Sequence, residues 1–175
     1  QELLENTNTR ERTFLFARAC EIAKAGLSVA LRTPPEQLAL VLSGLVHAYD
    51  PNYTPEGIDA GQLADVGQRV VKALPRRTRD ELGPVAVEMA GRPGFDPRSI
   101  GLAAGDLGNR VALLATGDLL AAFSALLKLN MRALEGDTRR RAEILRSVPE
   151  TASLLRFAVS EEYLDARHRA GADSL

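Results

Sequence analysis

The chain has 175 residues, 45% of them hydrophobic and only 5% aromatic, with no tryptophan and a formal net charge of −1. That length sustains one buried core without disulfide or metal staples, and the near-neutral charge argues against a dedicated nucleic-acid binder and against electrostatic docking on anionic membranes. The single Cys20 excludes an internal disulfide and fits a reducing, cytoplasmic setting.

Leu, Ala and Val must build the core, a mixture that favours helices. Lysine occurs only at positions 24, 72 and 128, so arginine carries nearly all the positive charge, a bias of GC-rich bacterial genomes. The longest apolar run, Val111 to Leu127, is interrupted by Asp118 and is too short to span a bilayer. The chain opens on Gln1, which reads as a piece of a longer protein, and no secretory signal is expected at its start.

Residues 1–9 are polar and expected to fray, with Leu3 and Leu4 able to dock on a neighbour. Asn8 and Glu11 have the spacing of a capping box, and the helix that follows should place Phe14, Ala17, Cys20 and Ile22 on its apolar side until Gly26 stops it. Leu27 to Leu31 fits an extended segment or a helical turn. Thr33-Pro34-Pro35-Glu36 is the clearest start signal: a Thr cap, then prolines in the first turn. The helix it opens should reach Ala48 and bury Leu38, Val41, Leu42 and Leu45. Asp50 to Gly57 is a loop by its turn residues.

Leu63, Val66, Val70, Val71 and Leu74 mark a helix from Asp59 to Leu74, and Pro75-Arg76-Arg77-Thr78-Arg79 opens the next, which Pro84 kinks or restarts. Gly91 to Gly94 is a turn. The stretch from Phe95 to Leu134 then organises the chain. Asp96-Pro97 starts a helix, and Ile100, Ala103, Ala104, Leu107, Val111, Leu114 and Ala115 recur at the steps of three and four that line one helical face. Gly117 can end that helix in the left-handed conformation and Asp118 can cap the next. From Leu119 to Leu134 nearly every residue except Ser124, Lys128, Asn130 and Arg132 is apolar, so this central helix should be covered on most sides. Glu135-Gly136-Asp137 breaks the chain before a helix over 138–146. Ser147 and Glu150 have capping-box spacing ahead of Leu154, Leu155 and Phe157, and Ser160-Glu161-Glu162 opens a last helix ending near Gly171. Nothing alternates as a strand does. The fold class is therefore all-α: a single domain, either a multi-helix bundle or a repeat-like helical array, around a buried central helix pair.

Gly101, Gly105 and Gly108 inside a helix each cost roughly 1 kcal/mol against alanine and need a reason. Close helix packing supplies one; a groove for a flat ligand, or a break near Gly105-Asp106, would be others. The run Ala103 to Arg110 lacks both the Lys-Ser/Thr ending of a phosphate loop and a preceding strand, so that reading is rejected. Asp106 and Arg110, four apart, should pair, and with Asn109 they make a candidate polar spot in an apolar bundle.

His47 and His168 are too few and too far apart for a metal centre, so no metal and no cofactor are expected. His47 should sit at a helix end, where a cation favours the dipole, and His168 in solvent. A Cys20–His47 nucleophile pair is not excluded by spacing but nothing points to it, and the chain is not expected to be an enzyme. Two basic clusters, Arg76-Arg77 with Arg79 and Arg139-Arg140-Arg141, could grip phosphates but are flanked by acids and lack interleaved aromatics for base stacking; they read first as solvated faces, then as docking points for an acidic protein, and last as nucleic-acid contacts.

The runs RTFLFARACEIA, ALPRRTRDELGPV, NRVALLATGDLLAAF and SLLRFAVSEEYLDAR, in this order between Arg12 and Arg167, resemble a helical region toward the C-terminal ends of large tetratricopeptide-repeat proteins of GC-rich bacteria. The resemblance rests on helix-packing positions and a recurrent Gly-Asp turn, here Gly117-Asp118. It implies an accessory or interaction module and transfers no catalytic residue. The expectation is a non-catalytic protein-interaction module that binds a protein partner or a second copy of itself; the alternative is a regulatory domain taking a small ligand beside Gly101, Gly105 and Gly108.

Overall fold

The structure is a computed structural model in which residues 5–132 and 136–171 are described. These form ten α-helices and one short 3-10 turn, with no strand among them, so the chain is an all-α helical array. The helices are α1 (Thr9–Lys24), α2 (Ser28–Arg32), α3 (Pro35–Tyr49), α4 (Ala60–Ala73), α5 (Arg76–Ala90), α6 (Ile100–Thr116), α7 (Leu119–Leu129), α8 (Thr138–Arg146), α9 (Pro149–Ala158) and α10 (Glu161–Arg169). Contacts divide the chain into two compact units, one of Gln1–Val29 with Leu102–Leu175, the other Ala30–Gly101.

Local signals set most helix starts. Asn8 and Glu11 form a reciprocal capping box on α1, Asp59 accepts from Gln62 N on α4, Asp118 from Ala121 N on α7, and Ser160 from Tyr163 N on α10. Gly117 lies at φ +64°, the left-handed value that lets α6 stop and α7 begin two residues later, at Leu119. Leu27 to Leu31, open in the sequence, falls largely in the short helix α2. Two cap positions differ from expectation. The cap position of α3 falls on Pro34, with no side-chain bond, and that of α9 on Val148; the Ser147 hydroxyl instead donates back to the Ile144 carbonyl at 2.7 Å. A proline in the first turn lowers the need in each case, because it removes one of the amides a cap would satisfy. Pro84 sits within α5, which is assigned as helix across it.

The first unit is built on one core. Phe14 of α1, Ala112 and Leu113 of α6, Ala122, Ala125 and Leu126 of α7 and Leu154 of α9 are all buried, with Phe157 and Tyr163 edge-to-face at 5.4 Å. Helix α7 is shorter than expected: it ends at Leu129, with Asn130 as its cap and Met131 in the left-handed region at φ 53°. The expected ends at Leu134 and Glu135, and the fraying expected of residues 1–4, lie outside the described residues.

The buried face of α6 differs from expectation. Ala104, Gly105, Gly108, Asn109, Ala112 and Leu113 face inward, whereas Leu107 is 38% exposed and Ala103 and Ala115 are exposed. The reason is the partner. A Cβ at Gly108 would stand 2.9 Å from Ile22 Cδ1 and 3.1 Å from Arg18 Cγ, so α1 fills the glycine notch with side chains and turns the small-residue face inward. Cys20, expected on the apolar side of α1, is exposed for the same reason: α1 docks through Phe14, Arg18 and Ile22.

The second unit shows the same preference more strongly. In α3, Leu38 is buried as expected, but Val41 is 41% exposed and Leu42 and Leu45 are only half-buried, while Ala39, Ser43, Gly44 and Val46 are buried. Here α3 packs on α4 backbone to backbone: a Cβ on Gly67 would lie 2.3 Å from the Gly44 carbonyl oxygen, and one on Gly44 would lie 3.0 Å from Gly67 N. Leucines cannot occupy a seam that close, so they flank it. Tyr49 closes the other side of the unit: its hydroxyl donates to the Arg79 carbonyl at 2.8 Å, and its ring lies against Gly83 of α5.

Candidate functional site

The polar residues singled out on α6 do not gather into one spot. Asp106 accepts from the Ser153 hydroxyl at 2.7 Å, Asn109 accepts from Arg18 Nε at 2.7 Å, and Arg110 reaches Glu162 at 3.3 Å while its guanidinium stacks 4.8 Å from the Phe157 ring. The expected Asp106–Arg110 pair is thus replaced by separate ties to α9, α1 and α10. Each crosses between helices, which tertiary packing rewards more than a pair on one exposed face. Asn109 is 1% exposed and its Nδ2 has no partner among the described residues, and burial pulls the Arg18 guanidinium below its ordinary value against the opposing pull of Glu150. Of the glycines beside these residues, Gly105 is buried, Gly108 is filled by Ile22 and Arg18, and a Cβ on Gly101 would meet the Ala30 carbonyl at 3.1 Å.

The two basic clusters belong to different units. Arg77 pairs with Glu81 at 2.9 Å and Arg139 with Glu143 at 3.5 Å, each four residues on along the same helix. Arg76, Arg140 and Arg141 are exposed, and Arg79 is half-buried with its Nε unpartnered. Among the described residues no group of three or more His, Cys, Asp or Glu is placed to hold a metal ion.

The strongest polar constellation was not singled out from the sequence. Glu11 is 2% exposed, and its carboxylate accepts from Lys128 Nζ at 2.7 and 2.9 Å, from Ser124 Oγ at 2.5 Å and from Asn8 N at 2.8 Å. Lys128 also donates to the Asn6 carbonyl at 2.8 Å, so the segment before α1, expected to fray, is tied to α7 there, and Thr7 is buried. Burial alone would raise the Glu11 carboxyl; the bonds from Lys128, Ser124 and Asn8 outweigh it and leave the group below the ordinary carboxylate value. The signal was present as Ser124 and Lys128, four apart on an otherwise apolar helix, but their partner lies more than a hundred residues away.

Where α6 turns into α7, a cleft of about 650 Å³ opens beside Arg10, Thr13, Thr116, Asp118, Leu119 and Leu120. Its hydroxyls and its carboxylate are bonded internally, and Arg10 reaches across to Asp118. The Thr13 and Thr116 hydroxyls donate to carbonyls of their own helices at 2.9 and 2.8 Å, and Asp118 takes the Ala121 amide on one oxygen and Arg10 at 3.1 Å on the other. The Ala121 amide bond is the main reason the Asp118 carboxyl stays below its ordinary value; burial opposes it and Arg10 adds to it. What this cleft offers is apolar: Leu119, and Leu120 with 77% of its surface exposed.

Comparison with family models, with curated proteins and with solved structures returns no match. The function must therefore be read from the geometry.

Proposed function

We infer that the chain is a non-catalytic helical protein-interaction module, and that its corner cleft at Gly117-Asp118 receives an apolar side chain of a protein partner. The observation that carries this reading is the pairing of an exposed Leu120 with hydroxyl and carboxylate neighbours that already have hydrogen bonds within the chain. Reaction chemistry needs groups free to bind or move protons at the substrate. An apolar centre rimmed by satisfied polar groups is instead the anatomy of a protein interface. The resemblance to a region of tetratricopeptide-repeat proteins supports placing the module as an accessory part of a larger bacterial protein in the cytoplasm. No helix among the described residues is long and apolar enough to cross a membrane.

The test is capture of partners on the immobilised chain, native against Leu120→Lys, with melting temperature and helix content followed in parallel. The exposed position lets the variant fold. The reading expects at least one protein retained by the native chain and lost from the variant at unchanged stability; identical capture by both overturns it.

A further inference from the structure

The second unit holds a smaller cleft of about 350 Å³, lined by His47, Ala48, Ala64, Gln68, Val71 and Lys72. Its position follows from the glycine seam. Helices α3 and α4 are in backbone contact at Gly44 and Gly67, closer than side chains permit, and Ala48 carries the close approach one turn further along α3. His47 and Ala48 lie one turn beyond Gly44, and Ala64, Gln68 and Val71 lie within one turn of Gly67. The cleft is a wedge alongside this seam, with a volume in the range of small-molecule sites.

Among the described residues, only His47 of its polar groups is bonded within the chain, and only through one ring nitrogen. His47 Nδ1 stands 2.9 Å from the Tyr53 carbonyl oxygen, which only accepts, so Nδ1 carries a hydrogen and Nε2 is the ring nitrogen left to bear the lone pair of this tautomer. The loop after α3, through Tyr53, thereby fixes the tautomer and the ring. Lys72 and Gln68 are exposed and make no hydrogen bond or ion pair among the described residues, while the nearby Asp65 is taken by Arg69 at 2.5 Å. The lining contains no carboxylate: one ammonium, one amide, one oriented imidazole acceptor, and a wall of Ala48, Ala64 and Val71.

We propose that this wedge binds a small aliphatic hydroxycarboxylate, its carboxylate on Lys72 and Gln68, its hydroxyl donating to His47 Nε2, and its short chain against Val71 and the two alanines. A plain carboxylate satisfies only the ammonium and leaves the imidazole lone pair facing an anion. The adjacent hydroxyl is what makes the ligand complementary to both ends of the site.

The experiment is a titration of the full chain with 2-hydroxybutyrate, followed by amide and imidazole chemical shifts in NMR, with butyrate and inorganic phosphate as comparison probes and Lys72→Gln and His47→Asn as variants. Expected are saturable shifts confined to the wedge residues, about fivefold weaker binding of butyrate, and about tenfold weaker 2-hydroxybutyrate binding by Lys72→Gln. Because Lys72 is exposed, that variant keeps its fold, so the test stands even if His47→Asn does not. No saturation by about 50 mM, shifts scattered over the chain, butyrate or phosphate binding equally well, or an unchanged Lys72→Gln overturns the proposal.

Discussion

The two units solve the problem of packing helices without large aromatics in opposite ways. In the first, glycine makes a notch that a neighbour's side chains fill: Ile22 and Arg18 enter at Gly108, and elsewhere in the unit the nearly inaccessible Glu11 is paired with a half-buried Lys128. In the second, glycine lets backbone meet backbone at Gly44 and Gly67, and the cost of that approach is a wedge with open polar groups beside it. A notch that is filled leaves no ligand groove. A seam that excludes side chains creates one next to itself, which is why the glycines that matter for a small ligand are not the three singled out on α6.

The comparison is broken most severely at the ion pair. Lys128→Met strips the nearly inaccessible Glu11 of its cation and should cost about 3–5 kcal/mol in urea unfolding at neutral pH. The same pair sets an acid dependence. Because the folded Glu11 carboxyl lies below its ordinary value of 4.5, its contribution is fully present above that value and is lost as pH falls through the lower folded value. Asp118 acts with the same sign. Unfolding free energy should therefore drop below about pH 4.5, and Lys128→Met should flatten that drop; an unchanged acid limb in the variant contradicts the assignment.

Next comes Gly67→Ala, which forces a methyl onto a carbonyl that cannot move without shifting a helix, and should cost about 3 kcal/mol. Gly108→Ala presses instead on the end of the Ile22 side chain and regains about 1 kcal/mol of helix propensity, so its net cost should stay near 1 kcal/mol. Equal losses in the two variants would erase the distinction between seam and notch. The smallest effect is at Met131, 96% exposed in the left-handed region, where Met131→Gly should raise stability by about 1 kcal/mol or less, read as a small upward shift in melting temperature.

These contrasts also mark what could be read from the chain. Helix starts were legible wherever one residue caps its own helix, as Asn8, Asp96, Asp118 and Ser160 do, because the information is local. The corner at Gly117 was legible for the same reason. Helix facing was not, since leucine periodicity marks where apolar surface lies, whereas the inward face of α3 and α6 is set by how near a partner helix can come. The small residues Gly44, Gly67 and Gly108 decide that, and hydrophobic spacing gives them no weight. Glu11 was recognised as a cap, yet its bond to Lys128 joins distant segments and leaves no local trace. Likewise His47 was placed correctly in the last turn of its helix, but the carbonyl that fixes its tautomer belongs to the loop beyond.

The glycine seam is the feature from which both the inverted face of α3 and the wedge follow, and one proton pair reports on it directly. At the Gly44–Gly67 crossing each Cα–H points at the other helix's backbone, so an NMR cross-relaxation spectrum should show a strong contact between the α-protons of Gly44 and Gly67. No such contact, with α-protons of those glycines instead close to leucine side chains, would mean the helices are held apart, and would contradict the account.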